Sequence, residues 1–176
     1  MIEIKRIDET NKQDINIPNE PFSLFGRMVP RLVDGCWSYT VEKFDEISEM
    51  CFPDENYSYE EMKADSVFLG AYDGDICVGL AIMQRGFLKY MYLYDLKVNK
   101  AYRRQGVGNL LIEAAKTVTR ENGYRGIYTI GQDNNLAACQ FYIKSGFRIG
   151  GFDTEVYNGT SQEGKGDIYF YLEGDR

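Results

Sequence analysis

The residues best suited to chemistry lie in "YRRQGVGNLL", residues 102–111, where two arginines and two glycines fall between a strand-like run and a helix-like run. Bare backbone and positive charge at the start of a helix suit an anion, with phosphate the first candidate. Glycines let the backbone approach closely, and a helix start offers unpaired N–H groups and a positive dipole end. Two familiar phosphate-binding patterns fail here. A P-loop needs G-x-x-x-x-G-K-[ST], and no Lys-Ser or Lys-Thr follows these glycines. A dinucleotide fingerprint needs G-x-G-x-x-G, but Gly106-Val107-Gly108 leads to Leu111, and seven or eight residues separate Gly106 from the preceding strand. What is present is R-x-x-G-x-G, carried by Arg103, Gly106 and Gly108, with Arg104 adding charge. Taken alone, that pattern also suits an ordinary helix start.

A second stretch adds to it. Asn135, Ala138, Phe141, Tyr142, Gly146 and Phe147 form N-x-x-A-x-x-F-Y-x-x-x-G-F, about 30 residues beyond the first motif. The chain has no histidine, which removes imidazole acid–base catalysis, His-assisted triads and His-containing zinc sites. Cys36, Cys51, Cys77 and Cys139 show no metal-like spacing, and no metal is expected. They read as thiols in small core positions in a reducing compartment. A formal net charge of −7 argues against nucleic-acid and anionic-membrane partners and is compatible with a cationic substrate. With no signal-like start and no apolar run of ~18 residues, the expected location is the cytoplasm.

The elements that must hold these motifs follow from periodicity. Residues 2–7 alternate as a first strand, and 8–21 read as a turn and loop. "FSLFGRMVPRLV" and "CWSYTVEKF" flank Asp34-Gly35 as a hairpin, with Pro30 marking an edge or interrupted strand. Residues 45–64 are acidic and mixed, ending in a short helix with Ser58 as cap and Glu61 three residues on. "SVFLGAYD" and "DICVGLAIMQ" flank Asp73-Gly74 as a second hairpin, beneath which Trp37 is expected to pack. Residues 87–98 form a third long strand. Val107, Leu110, Leu111, Ala114, Ala115 and Val118 then give a helical face ended by Gly123. "GIYTIG", "LAACQFYIKSG", "FRIGGFDTEVY" and "DIYFYLE" read as strand, helix, strand and strand. The class is α/β or α+β with a mixed sheet.

In this strand–helix context the two motifs resemble those of the GNAT superfamily of acetyl-CoA-dependent N-acetyltransferases. "NEPFSLFGRMVPR", "CWSYT", "YLYDLKVNKAYRRQGVG" and "QDNNLAACQFYIKSGFRIGGFDTEVY" further resemble streptothricin acetyltransferases, from about Asn19 to Tyr171. The resemblance implies one GNAT-like domain over residues 1–176. It would have a mixed, mostly antiparallel sheet of about seven strands flanked by helices, with splayed central strands. Residues 1–65 would be the variable acceptor-side portion and 66–172 the acetyl-CoA-binding core.

It also implies roles. The backbone of Leu96, Lys97 and Val98 would pair with the pantetheine arm, the Val98 N–H facing the thioester carbonyl. Arg103, Arg104, Gln105, Gly106, Val107, Gly108 and Asn109 would wrap the pyrophosphate. Asn134, Asn135, Ala138, Phe141 and Tyr142 would border the cofactor, and Tyr142 resembles the tyrosine that protonates the departing thiolate. A phenol of pKa ~10 and a thiol of ~8.5 are suitably matched for that transfer. Plain core packing is the alternative for Leu96, Val98, Phe141 and Tyr142.

A lysine-like amine costs about 4.6 kcal/mol to neutralise at pH 7, at ~1.36 kcal/mol per pKa unit. A carboxylate, directly or through a water, must take that proton. Asp95 is the first candidate, although strand alternation puts it on the face opposite Tyr92, Tyr94 and Leu96. Asp54, Glu55 and Asp153 are alternatives. Tyr90, Tyr92 and Tyr94 form a period-two stripe suited to an acceptor wall or to covered sheet. Cys139 reads as helix core, not an acyl carrier. The implied reaction is acetylation of the β-lysine moiety of streptothricin, giving antibiotic resistance. Another small polyamine, an aminoglycoside or a protein lysine is the alternative acceptor. A non-catalytic CoA-binding module is the alternative of another class. The partner would be a small cationic amine, and strands near 147–172 could pair in a homodimer.

Overall fold

The computed structural model describes residues 1–174. The strands are β1 (Ile2–Ile7), β2 (Phe22–Val33), β3 (Cys36–Met50), β4 (Ser66–Asp73), β5 (Ile76–Gln84), β6 (Tyr90–Val98), β7 (Gly126–Gln132), β8 (Arg148–Asp153) and β9 (Asp167–Glu173). The helices are α1 (Tyr59–Met62), α2 (Val107–Glu121) and α3 (Leu136–Lys144), with short 3-10 turns at Lys12–Asn16 and Lys100–Tyr102. Seven strands form one sheet in the order β1-β4-β5-β6-β7-β9-β8, and β2 and β3 form a separate ribbon. The fold is α+β, as expected.

The chain divides into two compact units, which split it inside β7. The first comprises residues 1–20, 51–127 and Glu173 onward. Within it β1, β4, β5 and β6 pair antiparallel in turn. Its core joins Ile7, Ile15, Phe68, Leu80 and Ile82, with Tyr57, Tyr59 and Met62 packed alongside. Helix α2 lies against β4, β5 and β6 through Val107, Leu111, Ile112, Ala115, Val118 and Thr119. That corrects the expected face, because Leu110 is exposed and Ile112 is buried. Spacing of i, i+3, i+4 fixes the middle of a stripe but leaves either flank possible. Packing selects the flank carrying Ile112 and Thr119.

The second unit comprises residues 21–50 and 128–172. In β9, Ile168, Phe170 and Leu172 point inward while the alternating tyrosines stay partly exposed. Burying each such side chain contributes about 1.5–3 kcal/mol. Asp34 and Gly35 both take positive φ, 50° and 76°, the geometry that a tight hairpin turn needs. Pro30 sits in continuous pairing opposite Tyr39. The two-stranded ribbon leaves every strand an edge, so its missing N–H is tolerated. Strand β3 runs on to Met50, well into the stretch expected to be irregular. The contacts found for Trp37 are within its own unit. The residue is part of the ribbon and lines a cleft of about 660 Å³ with Ser38, Tyr39, Ile143 and Arg148. The thiols also depart from expectation. Cys139 is buried, Cys77 is half-buried, and Cys36 and Cys51 are exposed. All four are free.

Candidate active site

The first unit carries the strand-turn-helix segment of Arg103, Gly106 and Gly108. Strand β6 has a bulge: Ile82 is paired with Asp95 and Met83 with Leu93, so Tyr94 is the extra residue. A bulge reverses the inside–outside alternation beyond it. Asp95 and Lys97 therefore share the face of Tyr92, whose partner across the pair is Gln84, while Leu96 opposite Ala81 takes the other face. This corrects the expectation that Asp95 opposes Tyr92.

Around Asp95 stands a compact polar cluster from three chain segments. The Tyr57 hydroxyl donates to Asp95 Oδ2 at 3.0 Å. Lys97 Nζ lies 3.3 Å from the same oxygen and 2.9 Å from Glu55 Oε2. It also donates to Asn19 Oδ1 at 3.1 Å and sits 5.7 Å from the centre of the Tyr57 ring. Tyr94 packs against both Tyr57 and Tyr92, at ring separations of 6.0 and 5.7 Å. Tyr90 is set apart from this group, its hydroxyl bonded to Glu173. Burial pushes the Asp95 carboxyl above the ordinary range, against the lowering pull of Lys97 and with the help of Glu55. Burial acts in the same direction on Glu55, but hydrogen bonds from Asn19 and Lys97 outweigh it and hold that carboxyl below its usual value. Burial, with Asp95 and Glu55 nearby, pushes the Tyr57 phenol up.

Beyond β6, Arg103 Nε donates to the Val98 carbonyl at 2.9 Å, which closes the turn back on the strand. Gln105 Nε2 donates to Ala101 O at 2.7 Å. Arg104 and Gly106 both take left-handed backbone, with φ of 61° and 83°. Alternating handedness directs successive N–H groups into a concavity suited to anions. Helix α2 begins there without a side-chain cap. A Cβ built on Gly106 would meet nothing within 4 Å, so open space borders its backbone. Arg104, Gln105, Gly106 and Asn109 are exposed, whereas the Val107 side chain is buried and only its backbone faces the turn. An exposed arginine, left-handed backbone and an uncapped helix start fit a pyrophosphate. The Lys97 side chain is committed to Asp95 and Glu55, so only its backbone is available to a pantetheine arm.

The second unit carries the other motif. Asn135 caps α3, its Oδ1 accepting from the Ala138 N–H at 3.3 Å. Asn134 is buried, and its Oδ1 lacks a hydrogen-bond partner among the described residues. Tyr142 is 8% exposed, its ring 5.6, 5.4 and 5.2 Å from those of Phe141, Phe147 and Phe170. Ala138 and Phe141 are half-buried beside it. Asp153, one of the alternative bases, also belongs to this unit, where its Oδ1 accepts from the N–H groups of Glu155 and Val156. Asp54 is occupied in the first unit by the Asn19 N–H at 2.7 Å. Of the four carboxylates considered, the structure gathers Asp95 and Glu55 around one ammonium. Tyr57 escaped the sequence reading because no periodic pattern links it to Asp95, 38 residues away.

Comparison with known proteins accords with this geometry. Residues 33–147 match the acetyltransferase (GNAT) family. The chain belongs to that family. It is an acetyl-CoA-dependent N-acetyltransferase. It is 34% identical over 172 residues to streptothricin acetyltransferase A of Bacillus subtilis strain 168, covering 97% of this chain and 99% of that one. A streptothricin acetyltransferase of Streptomyces lavendulae is 30% identical over 129 residues, covering 69% of this chain and 68% of that one. Among solved structures, a putative streptothricin acetyltransferase from Bacillus anthracis in complex with acetyl coenzyme A superposes with a TM-score of 0.88 at 31% identity, covering 98% of this chain and 99% of that one. Nourseothricin acetyltransferase shares the fold, with a TM-score of 0.81 at 20% identity over 99% of each chain. Among the described residues, no helix is long and apolar enough to cross a membrane, and no cluster suits a metal ion.

Proposed function

We propose that this GNAT enzyme acetylates a primary amine of streptothricin, on its β-lysine moiety, and so inactivates a cationic antibiotic. The observation that carries this reading is the cluster of Asp95, Glu55, Tyr57, Tyr92 and Tyr94 on one face of β6. Carboxylates and tyrosine rings together recognise an alkylammonium, and the chain's own Lys97 already sits among them as one. Nearly full-length likeness to streptothricin acetyltransferases supports the same acceptor.

Acetyl-CoA supplies the activated acetyl group. The uncapped start of α2, with Arg103, Arg104, Gln105, Gly106, Val107, Gly108 and Asn109, holds its phosphates, and backbone of Leu96, Lys97 and Val98 aligns its arm. The Val98 N–H is the oxyanion donor. Asp95 takes the proton of the incoming ammonium. A carboxyl raised by burial is a stronger base than a surface one, and so better matched to that task. Tyr142 protonates the leaving thiolate, while Asn134, Ala138 and Phe141 shape its side of the cofactor and Asn135 caps the helix that carries them.

A panel of acceptors tests the assignment. Streptothricin should show the highest kcat/KM, with the acetyl group on the β-lysine amine by mass spectrometry. An aminoglycoside, polyamine or lysine peptide that outperformed it would overturn the acceptor while leaving the reaction class.

A further inference from the structure

We infer that Lys97 is a positioning residue for the proposed base: it keeps Asp95 ionised and fixes which of its oxygens meets the acceptor. This rests on the reading of Asp95 as the proton acceptor and adds the group that makes that role possible.

The geometry is specific. The Lys97 side chain is 12% exposed and that of Asp95 17%. Both contacts to Asp95, from Lys97 Nζ and the Tyr57 hydroxyl, fall on Oδ2. Oδ1 has no hydrogen-bond partner among the described residues. One oxygen is thus clamped and the other presented. The bulge at Tyr94 makes the arrangement possible, because it turns Asp95 and Lys97 to one face of β6. The ammonium is held in turn by Glu55 from a second segment, and by Asn19 Oδ1 and the Ile17 carbonyl from a third.

The charged and titratable groups facing Asp95 are Lys97 on its own strand, with Glu55 and Tyr57 from the loop before α1. Two partly desolvated carboxylates held against one ammonium repel each other, and the cation between them offsets that repulsion. If the ammonium were removed, Glu55 would repel charge on Asp95 and burial would favour its neutral form. A neutral carboxylic acid cannot take the acceptor's proton. The sign follows: without Lys97, Asp95 ionises only at higher pH, so the acidic limb of kcat/KM moves upward.

The test compares kcat/KM against pH for the full chain with acetyl-CoA and streptothricin, in wild type, K97M, K97R, E55Q and D95N. K97M should move the acidic limb up by about one pH unit or more and, on the acidic side of that limb, lower kcat/KM by about tenfold per unit moved. K97R, which keeps the charge, should leave the limb near its wild-type position. E55Q, which removes the repelling charge but keeps an amide oxygen for the Lys97 ammonium, should move the limb down, and it decides the matter if K97M does not fold. A limb unmoved in K97M, or in E55Q where K97M is unfolded, overturns the inference: Lys97 would then be only a brace for the 17–19 and 55 segments. A D95N enzyme that keeps the wild-type limb and rate overturns the base assignment itself, a different result from failure of Lys97 alone.

Discussion

The two helices that carry the motifs begin in opposite ways. Helix α3 closes its own start, since the Asn135 side chain accepts from the Ala138 N–H. Helix α2 begins on Gly106 in left-handed backbone, with no side-chain cap. Both follow a strand, and both lie in motifs of the family. A capped start satisfies donors with the protein's own atoms and contributes stability. An uncapped start beside two arginines leaves its donors for an anion. Under the proposed function, α2 offers backbone to the cofactor and α3 offers the Tyr142 side chain.

Substitutions can break that contrast. The largest effect is expected at Tyr142. Tyr142→Phe should lower kcat by about 10²–10³-fold while the acetyl-CoA dissociation constant from equilibrium titration stays unchanged. An unaltered kcat would leave the residue as packing among Phe141, Phe147 and Phe170. Next comes Gly106→Val. Space around the glycine is open, so the chain should still fold. A β-branched residue resists positive φ, however, and its side chain would occupy the approach to the turn. Acetyl-CoA binding should weaken by about 10–100-fold, or about 1.4–2.8 kcal/mol. Retained affinity would mean that the phosphates lie elsewhere. The smallest effect is at Asn135→Ala, which removes a cap. Thermal or denaturant unfolding should show a loss of about 1 kcal/mol, with acetyl-CoA affinity little changed. A large loss of affinity instead would mean that Asn135 touches the cofactor as well as capping α3.

Much of the frame was legible from residue order. The nine strands among the described residues follow from alternation, apolar runs and the Asp34-Gly35 turn, and Ser58 and Gly123 mark helix ends as expected. The second hairpin turns on Gly74, with strands ending at Asp73 and resuming at Ile76. What alternation could not supply is the bulge at Tyr94. A strict period of two separates Asp95 from Tyr92, and only the pairing with β5 reveals the extra residue. The same limit hid the partners of Asp95. Asn19, Glu55 and Tyr57 reach Lys97 and Asp95 from distant loops, where tertiary folding and not spacing brings them together. Exposed Cys36 and Cys51 are a parallel case: the first opens β3 and the second follows its end, and what covers a thiol there is set by tertiary packing and not by spacing.

Turnover of acetyl-CoA on a cationic amine is what distinguishes this chain from a CoA-binding module. The most direct test is release of free thiol from acetyl-CoA, followed with and without streptothricin. The account predicts rapid release that depends on the acceptor and saturates with it. Acetyl-CoA bound in a parallel titration, with no release above the acceptor-free rate for streptothricin or any amine of the panel, would contradict it.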